Sequence, residues 1–173
     1  MNDIAAQSHT QQQLYWQEII KLKVSSLYIC RYRDHLGRWV TGLGVLKAIA
    51  SSVSIAAWAI WQKYSFVWGC VIAISQIADA LKEVFPFAKK YKAAAQHAIT
   101  LDVLFIDAQL EWDNIFSGKY TNDQISTRLH KLRKLEHDAE RHNFPDGLAR
   151  KASLFDLAEE DAETYFSTTY GVE

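Results

Sequence analysis

The sequence predicts an all-α protein: a two-transmembrane helical hairpin, preceded by an amphipathic N-terminal helix and followed by a cytosolic helical bundle or coiled coil. Residues 40–61, roughly 22 in number, carry Lys47 as their only charge, and a helix of that length crosses a hydrocarbon core of about 30 Å. Residues 64–78 form a second uncharged run. Only two prolines and seven glycines interrupt the chain, and no alternating apolar segments indicate strands.

The chain accordingly divides into three predicted parts. Residues 1–38 form a cytosolic amphipathic arm, 39–87 form the transmembrane hairpin, and 88–173 form a cytosolic region with a long heptad helix and a helical hairpin. The arm carries apolar residues at spacings of three and four: Trp16, Ile20, Val24 and Leu27. These spacings predict one helix that runs into the first span.

Aromatic and basic residues flank the two runs. Trp39 begins the first run, and Phe85 and Phe87 follow the second, as in the aromatic belts of membrane proteins. The turn contains one basic residue, Lys63, whereas the terminal flanks contain nine: Lys21, Lys23, Arg31, Arg33, Arg38, Lys82, Lys89, Lys90 and Lys92. Because cytoplasmic loops carry an excess of Lys and Arg, both termini are predicted to be cytoplasmic.

Composition fits a partly embedded protein, with 49% hydrophobic residues and a net charge of −1. That charge argues against direct nucleic-acid binding, because such domains are usually strongly basic. The second run is short, and Asp79, Lys82 and Glu83 also allow it to be one helix of a soluble bundle. Cys30 and Cys70 are too far apart in a hairpin to pair and are predicted to be reduced thiols.

Small residues recur every four positions in the first span. This predicted span-packing ridge consists of Gly44, Ala48, Ser52 and Ala56. Small residues at this spacing let two helices approach closely in lipid. We therefore expect copies of the chain to associate through the first span.

A polar stripe lies beside that ridge and consists of Lys47, Ser51 and Ser54. Several copies can line a pore with it, although serines in spans also bond to their own backbone. In a hairpin that turns near Lys63, residues whose numbers add up to about 126 lie at equal depth, and Lys47 and Asp79 satisfy this relation. Asp79 is thus a candidate partner for Lys47, which can alternatively extend alone toward the interface.

The clearest periodicity follows the second run. Two series of residues at intervals of seven form a predicted helix-partner stripe: Tyr91, Ala94, Ala98, Leu101, Phe105, Ala108, Trp112 and Ile115. A sustained stripe of this kind predicts packing against another helix. The N-terminal arm and a second copy of the chain are both candidates, and a bundle can use both.

Two shorter helices close the chain. The segment 117–118 is predicted to end the long helix, residues 121–123 to cap the next one, and 144–147 to form the turn between the last two. Opposite charges on these two helices predict the pairs Arg128–Glu163 and Lys131–Glu160 across a helical hairpin. Such surface pairs select an orientation more than they stabilise a fold.

No catalytic, metal-binding or cofactor-binding constellation is predicted. The histidines and carboxylates of 130–142 lack the spacing of a helical metal motif, since His137 and His142 are five residues apart. Gly42 and Gly44 are not followed by the third glycine of a nucleotide-binding loop. We therefore expect a protein without enzymatic activity.

In layout, the chain resembles the SLATT family, the two-transmembrane effector domains associated with bacterial nucleotide-signalling defence systems. The resemblance is carried by the basic arm of 21–38, the tight turn of 61–64, the basic start of the long helix at 89–92, and the closing helical pair. It covers nearly the whole chain and depends on layout and composition.

This resemblance implies a non-enzymatic effector of anti-phage defence. Such an effector is expected to oligomerise into a pore, or to disrupt the inner membrane, when a separate sensor or enzyme of the same system is triggered, and so to cause abortive infection. The implied partners are the lipid bilayer, further copies of the chain and that sensor. A different expectation is a soluble or peripheral all-helical scaffold or regulatory subunit of a defence complex.

Overall fold

The computed structural model describes residues 2–52, 66, 69–70, 73–74, 76–77 and 86–171. Four long helices account for most of them: α1 (Asn2–Ser52), α2 (Phe87–Phe116), α3 (Asn122–Asn143) and α4 (Ala152–Tyr170). No strand occurs within these ranges, so the predicted all-α class is confirmed. Over the same ranges, no helix combines the length and apolar character of a membrane span.

The predicted continuity of the arm with the first run is visible in α1, a single helix of 51 residues. The chain forms two compact units, one made of residues 1–32 and 93–173 and the other of residues 33–92. We call them the bundle unit and the hairpin unit. Most of the predicted transmembrane hairpin lies outside the described residues, and its two-span form stays a prediction.

In the bundle unit, α1 contacts each of the other helices. Ser26 of α1 bonds to Asp102 of α2, Glu18 accepts from Arg133 of α3, and Arg31 donates to Asp161 of α4. A helix surrounded in this way needs apolar residues on more than one face. Its fully buried apolar residues include Tyr15, Ile19, Leu22 and Ile29.

This burial corrects the predicted face of the arm. Of the four residues that the sequence pattern selected, only Val24 is buried; Trp16, Ile20 and Leu27 are half-buried. The reason is that neighbours on several sides cover α1, so buried positions occur outside the stripe that the spacing of residues 16, 20, 24 and 27 selected.

Local sequence signals set the helix ends. Thr121, within the predicted cap, accepts from the Gln124 backbone N–H, while the Gln124 side chain accepts from the Thr121 N–H. This reciprocal pair satisfies two of the free donors at the start of α3. Gly118 has a φ of 73° just after α2, a conformation that glycine adopts without a steric penalty.

Candidate functional site

The base of the hairpin unit brings α1 beside the start of α2. The Trp39 and Phe87 rings stack with centroids 6.2 Å apart and an angle of 14° between their planes. One turn deeper, Gly37 faces Tyr91 so closely that a Cβ on Gly37 would lie 3.2 Å from the Tyr91 ring. Because Gly37 has no side chain, α1 and the start of α2 can approach each other closely here.

The predicted span-packing ridge begins just above this base. Gly44 and Ala48 are exposed, and among the described residues no atom beyond the neighbouring backbone of α1 lies within 4 Å of a Cβ built on Gly44. Ser52 is the last residue of α1, and Ala56 lies outside the described residues. Both members of the ridge whose side chains the structure describes are therefore at the surface of the hairpin unit.

The predicted polar stripe lies on the same helix. Lys47 is exposed, and Ser51 belongs to the last turn of α1, whereas Ser54 and Asp79 lie outside the described residues. Successive members of the stripe are separated by four and three residues, so Lys47 and Ser51 share one helical face. The pairing of Lys47 with Asp79 stays a prediction.

Large apolar side chains of the hairpin unit are exposed at described positions throughout the apolar segment. They are Trp39, Val45, Phe66, Ile74 and Ile77, with Phe66 82% exposed. Isolated exposed apolar residues are common on soluble proteins, but a concentration of them in one segment is typical of a surface that contacts a membrane or another protein.

The helix-partner stripe divides between the two units. In the bundle unit its members Ala94, Ala98, Leu101, Phe105, Ala108 and Ile115 are buried, and Trp112 is half-buried. Phe105 lies edge-on to Phe166 of α4, and the Trp112 ring lies 4.9 Å from that of Trp16. The stripe thus packs against α1 and α4 of the same chain.

Several rings cluster at one end of the bundle unit. The Trp16 ring lies 4.9 Å from Trp112 and 5.1 Å from Tyr170, and it meets Phe166 edge-on. A groove of about 550 Å³ opens beside them. Nearby, burial and the Glu111 carboxylate raise the pKa of Tyr15 to about 12, so its hydroxyl stays protonated. The cluster joins α1, α2 and α4.

Polar contacts hold α1 in register. The Ser26 hydroxyl donates to Asp102 at 2.5 Å, and Arg133 Nη2 donates to the buried Glu18 carboxylate at 2.8 Å. A buried carboxylate needs such a donor, because its unpaired charge is costly in a low dielectric. Sequence reasoning missed both, since neither pair has a local spacing signal.

The predicted charge pairs between the last two helices are wrong in their partners. Arg128 pairs with Glu111 of α2 at 2.7 Å, not with Glu163, and Asp161 of α4 pairs with Arg31 of α1. The Lys131–Glu160 pair was predicted from the same antiparallel alignment of α3 with α4 as the Arg128–Glu163 pair. The physical reason is that α3 and α4 each pack on α1 and α2, so their charged flanks meet those helices.

An internal polar cavity was also missed. His97 is buried, its ring lies edge-on to Phe144, and its Nδ1 has no hydrogen-bond partner among the described protein atoms. Burial lowers the pKa of His97 and raises that of Glu136. These side chains line a cavity of about 20 Å³ together with Ser25, Glu140 and Arg150, enough space for one water molecule.

His97 is expected to make the bundle unit sensitive to acid. Because burial lowers its folded-state pKa, unfolding takes up a proton, and stability present above pH about 6.5 is lost as pH falls toward the folded pKa. The variant His97→Gln should have a flatter dependence of melting temperature on pH between 7 and 5, measured by circular dichroism. His130→Gln, at an exposed position, is the matched control. Equal slopes for His97→Gln and the parent chain would contradict this role.

The described residues contain no group of three or more His, Cys, Asp or Glu side chains placed to hold a metal ion. The Cys30 side chain is half-buried and the Cys70 side chain is exposed. Comparison with known proteins adds no relative: no family model, curated protein or solved structure matches the chain.

Proposed function

We propose that the chain is a non-enzymatic membrane effector of a bacterial anti-phage defence system. Residues 39–87 enter the inner membrane as a helical hairpin, the bundle unit stays in the cytoplasm, and copies of the chain associate into a pore or disrupt the bilayer when a partner sensor is triggered. The expected consequence for the cell is growth arrest, which limits infection.

The observation that carries the proposal is the exposure of large apolar side chains in the hairpin unit. In water, Val45, Phe66 and Ile77 would each retain unfavourable apolar hydration. Lipid removes that cost, and the aromatic pair Trp39–Phe87 is suited to the interface, where amphipathic rings concentrate. The resemblance in layout to SLATT effectors supports the assignment to defence.

The register of the hairpin base supports the placement of the spans. Gly37 faces Tyr91, and Trp39 faces Phe87, so facing residues have numbers that add up to about 127. If the proposed spans keep this register, Lys47 is expected at the depth of residue 79 or 80. Two opposite charges at one depth reduce the cost of each in lipid.

Membrane fractionation and topology reporters test this proposal. After an alkaline carbonate wash, the chain is expected to stay in the membrane pellet, because an inserted hairpin is not released by loss of electrostatic attachment. Reporter fusions at residues 1 and 173 should give cytoplasmic signals, and a fusion at Lys63 a periplasmic one, because the basic residues flank the terminal side. A periplasmic signal from either terminus would overturn the topology.

Association through the first span has its own test. Replacing Ala48 with Leu places a large side chain on the small-residue ridge and should reduce crosslinked oligomers in membranes, because the ridge acts by close backbone approach. The control is Val53→Leu, which lies outside the described residues and which helical spacing predicts to be on the opposite face of the span. Equal loss at both positions, or no loss at either, would refute packing through this ridge.

The second candidate function is a peripheral helical scaffold or regulatory subunit of a defence complex. It is favoured by the outward face of α2, where Ile106 and Leu110 are exposed on the bundle unit. The carbonate wash separates the two candidates, since a peripheral scaffold is released into the supernatant.

A further inference from the structure

The outward face of α2 carries a second apolar stripe, separate from the buried one. Its residues, which we call the outer seam, are Ile99, Val103, Ile106 and Leu110. They are 59%, 53%, 64% and 65% exposed, respectively. Their spacing of four, three and four is that of alternating core positions in a coiled coil.

The outer seam lies on the side of α2 opposite the bundle core. Leu101 and Ala108, which are buried against the other helices, occupy the heptad position farthest from it. A groove of about 380 Å³ between α2 and α3, lined by both apolar and charged side chains, separates Leu110 from Leu135, which is 42% exposed. Apolar surface of this extent and regularity is typical of an interaction site.

Charge decides what fits this surface. Between residues 93 and 116, α2 has four carboxylates and no Lys or Arg. Asp102 and Asp107 occupy the two positions that flank the outer seam, and both are exposed. In coiled coils these flanking positions select the partner through their charges.

An acidic rim disfavours two other occupants. An anionic membrane surface would be repelled by it, because lipid-binding helices present Lys and Arg at their polar face. A second copy docked in parallel would bring Asp102 of one chain against Asp107 of the other, a like-charge contact. On the other side of the groove, α3 carries the exposed cation Lys131. Basic residues of a partner would be repelled there and attracted to the carboxylates of α2.

We propose that the outer seam docks an amphipathic helix of a different protein, one with apolar residues at heptad spacing and Lys or Arg at the flanking positions. This docking requires only the bundle unit and goes beyond membrane insertion: a chain whose residues 39–87 stay outside the bilayer would bind the same helix. It gives the effector a surface through which a cytosolic protein can hold or trigger it.

The test uses the full chain in detergent micelles and two designed heptad peptides. Both have Leu and Ile at the core positions; one has Lys and the other Glu at the flanking positions. In fluorescence anisotropy at low salt, the Lys peptide should bind roughly tenfold more tightly than the Glu peptide, and this preference should shrink at high salt. Equal binding of the two peptides would overturn the proposal.

Variants locate the binding surface. Ile106→Glu should weaken binding of the Lys peptide by roughly tenfold or more, because it places a charge in the centre of the apolar contact. Leu157→Glu, at an exposed apolar position of α4, is the matched control and should leave binding unchanged. Melting temperatures of both variants check that the bundle is intact.

A charge reversal tests the rim separately. Asp107→Lys leaves the apolar seam in place and should reduce the preference for the Lys peptide while improving binding of the Glu peptide.

Equal weakening by Ile106→Glu and Leu157→Glu would overturn the assignment to the outer seam. Loss of oligomers in Ile106→Glu, without loss of peptide binding, would assign the surface to a second copy and contradict the proposal.

Discussion

Replacing Leu101 with alanine is expected to lower the free energy of unfolding of the bundle unit by about 2 to 5 kcal/mol. Leu101 is 1% exposed at the centre of the unit, so its loss removes buried apolar contact and leaves a cavity that rigid neighbours fill only in part. The measurement is urea unfolding of the full chain in detergent, followed by circular dichroism.

The same helix offers a matched control for this change. Leu110→Ala removes the same atoms at a position that is 65% exposed, and its effect on unfolding should stay below about 0.5 kcal/mol. Comparison of Leu101→Ala with Leu110→Ala therefore distinguishes the buried stripe of α2 from its exposed outer seam. Similar destabilisation by both variants would mean that Leu110 is covered in solution, and the interpretation of the two seams would fail.

The sequence predicted the all-α class because the signals for it are local. Proline and glycine are scarce, heptad spacing marks the buried residues of α2, and a threonine cap begins α3 where residues 121–123 were expected to begin it. Each signal depends on residues within one or two helical turns. Such signals are present in the sequence whatever the tertiary packing is.

Contacts between distant segments could not be predicted in the same way. Ser26 and Asp102 are 76 residues apart, and nothing in the spacing of either identifies the other. The charges of α3 and α4 were matched to each other because they are neighbours in sequence, yet Arg128 bonds to Glu111 of α2. Proximity in the chain was a poor guide once both helices packed on a central α1.

The candidate site likewise contains some features that have a local sequence signal and others that have none. Residues 44–51 lie within α1, as the helical spacing requires, whereas the packing ridge and the polar stripe based on that spacing stay predictions. His97 was missed because one histidine among alanines gives no sequence signal, although its ring is buried and burial lowers its pKa. The outer seam was missed because the stronger stripe on the same helix dominates the pattern.

A reciprocal charge exchange between Lys47 and Asp79 is the sharpest test of the hairpin. In the hairpin unit, facing residues at the base have numbers that add up to about 127. If the proposed spans keep this register, the two charges will lie at one depth, although Asp79 is outside the described residues. Changing either residue alone leaves like charges at that depth in lipid, at a cost of about 2 to 3 kcal/mol on insertion-derived scales. Lys47→Asp and Asp79→Lys should each impair membrane insertion.

The double variant distinguishes a pair from two independent charges. If Lys47 and Asp79 meet, the swapped chain should recover part of the insertion that each single variant loses, because the coupling between the two sites is restored. Insertion is measured as the fraction retained in the pellet after a carbonate wash, and toxicity as growth after overproduction with the partner system. A pore lined by Lys47 predicts a further result: the double variant inserts normally but changes its ion preference, because a ring of positive charge becomes negative. Strictly additive losses in the double variant would mean that the two residues do not meet, and the hairpin would then need a different register above Trp39 and Phe87.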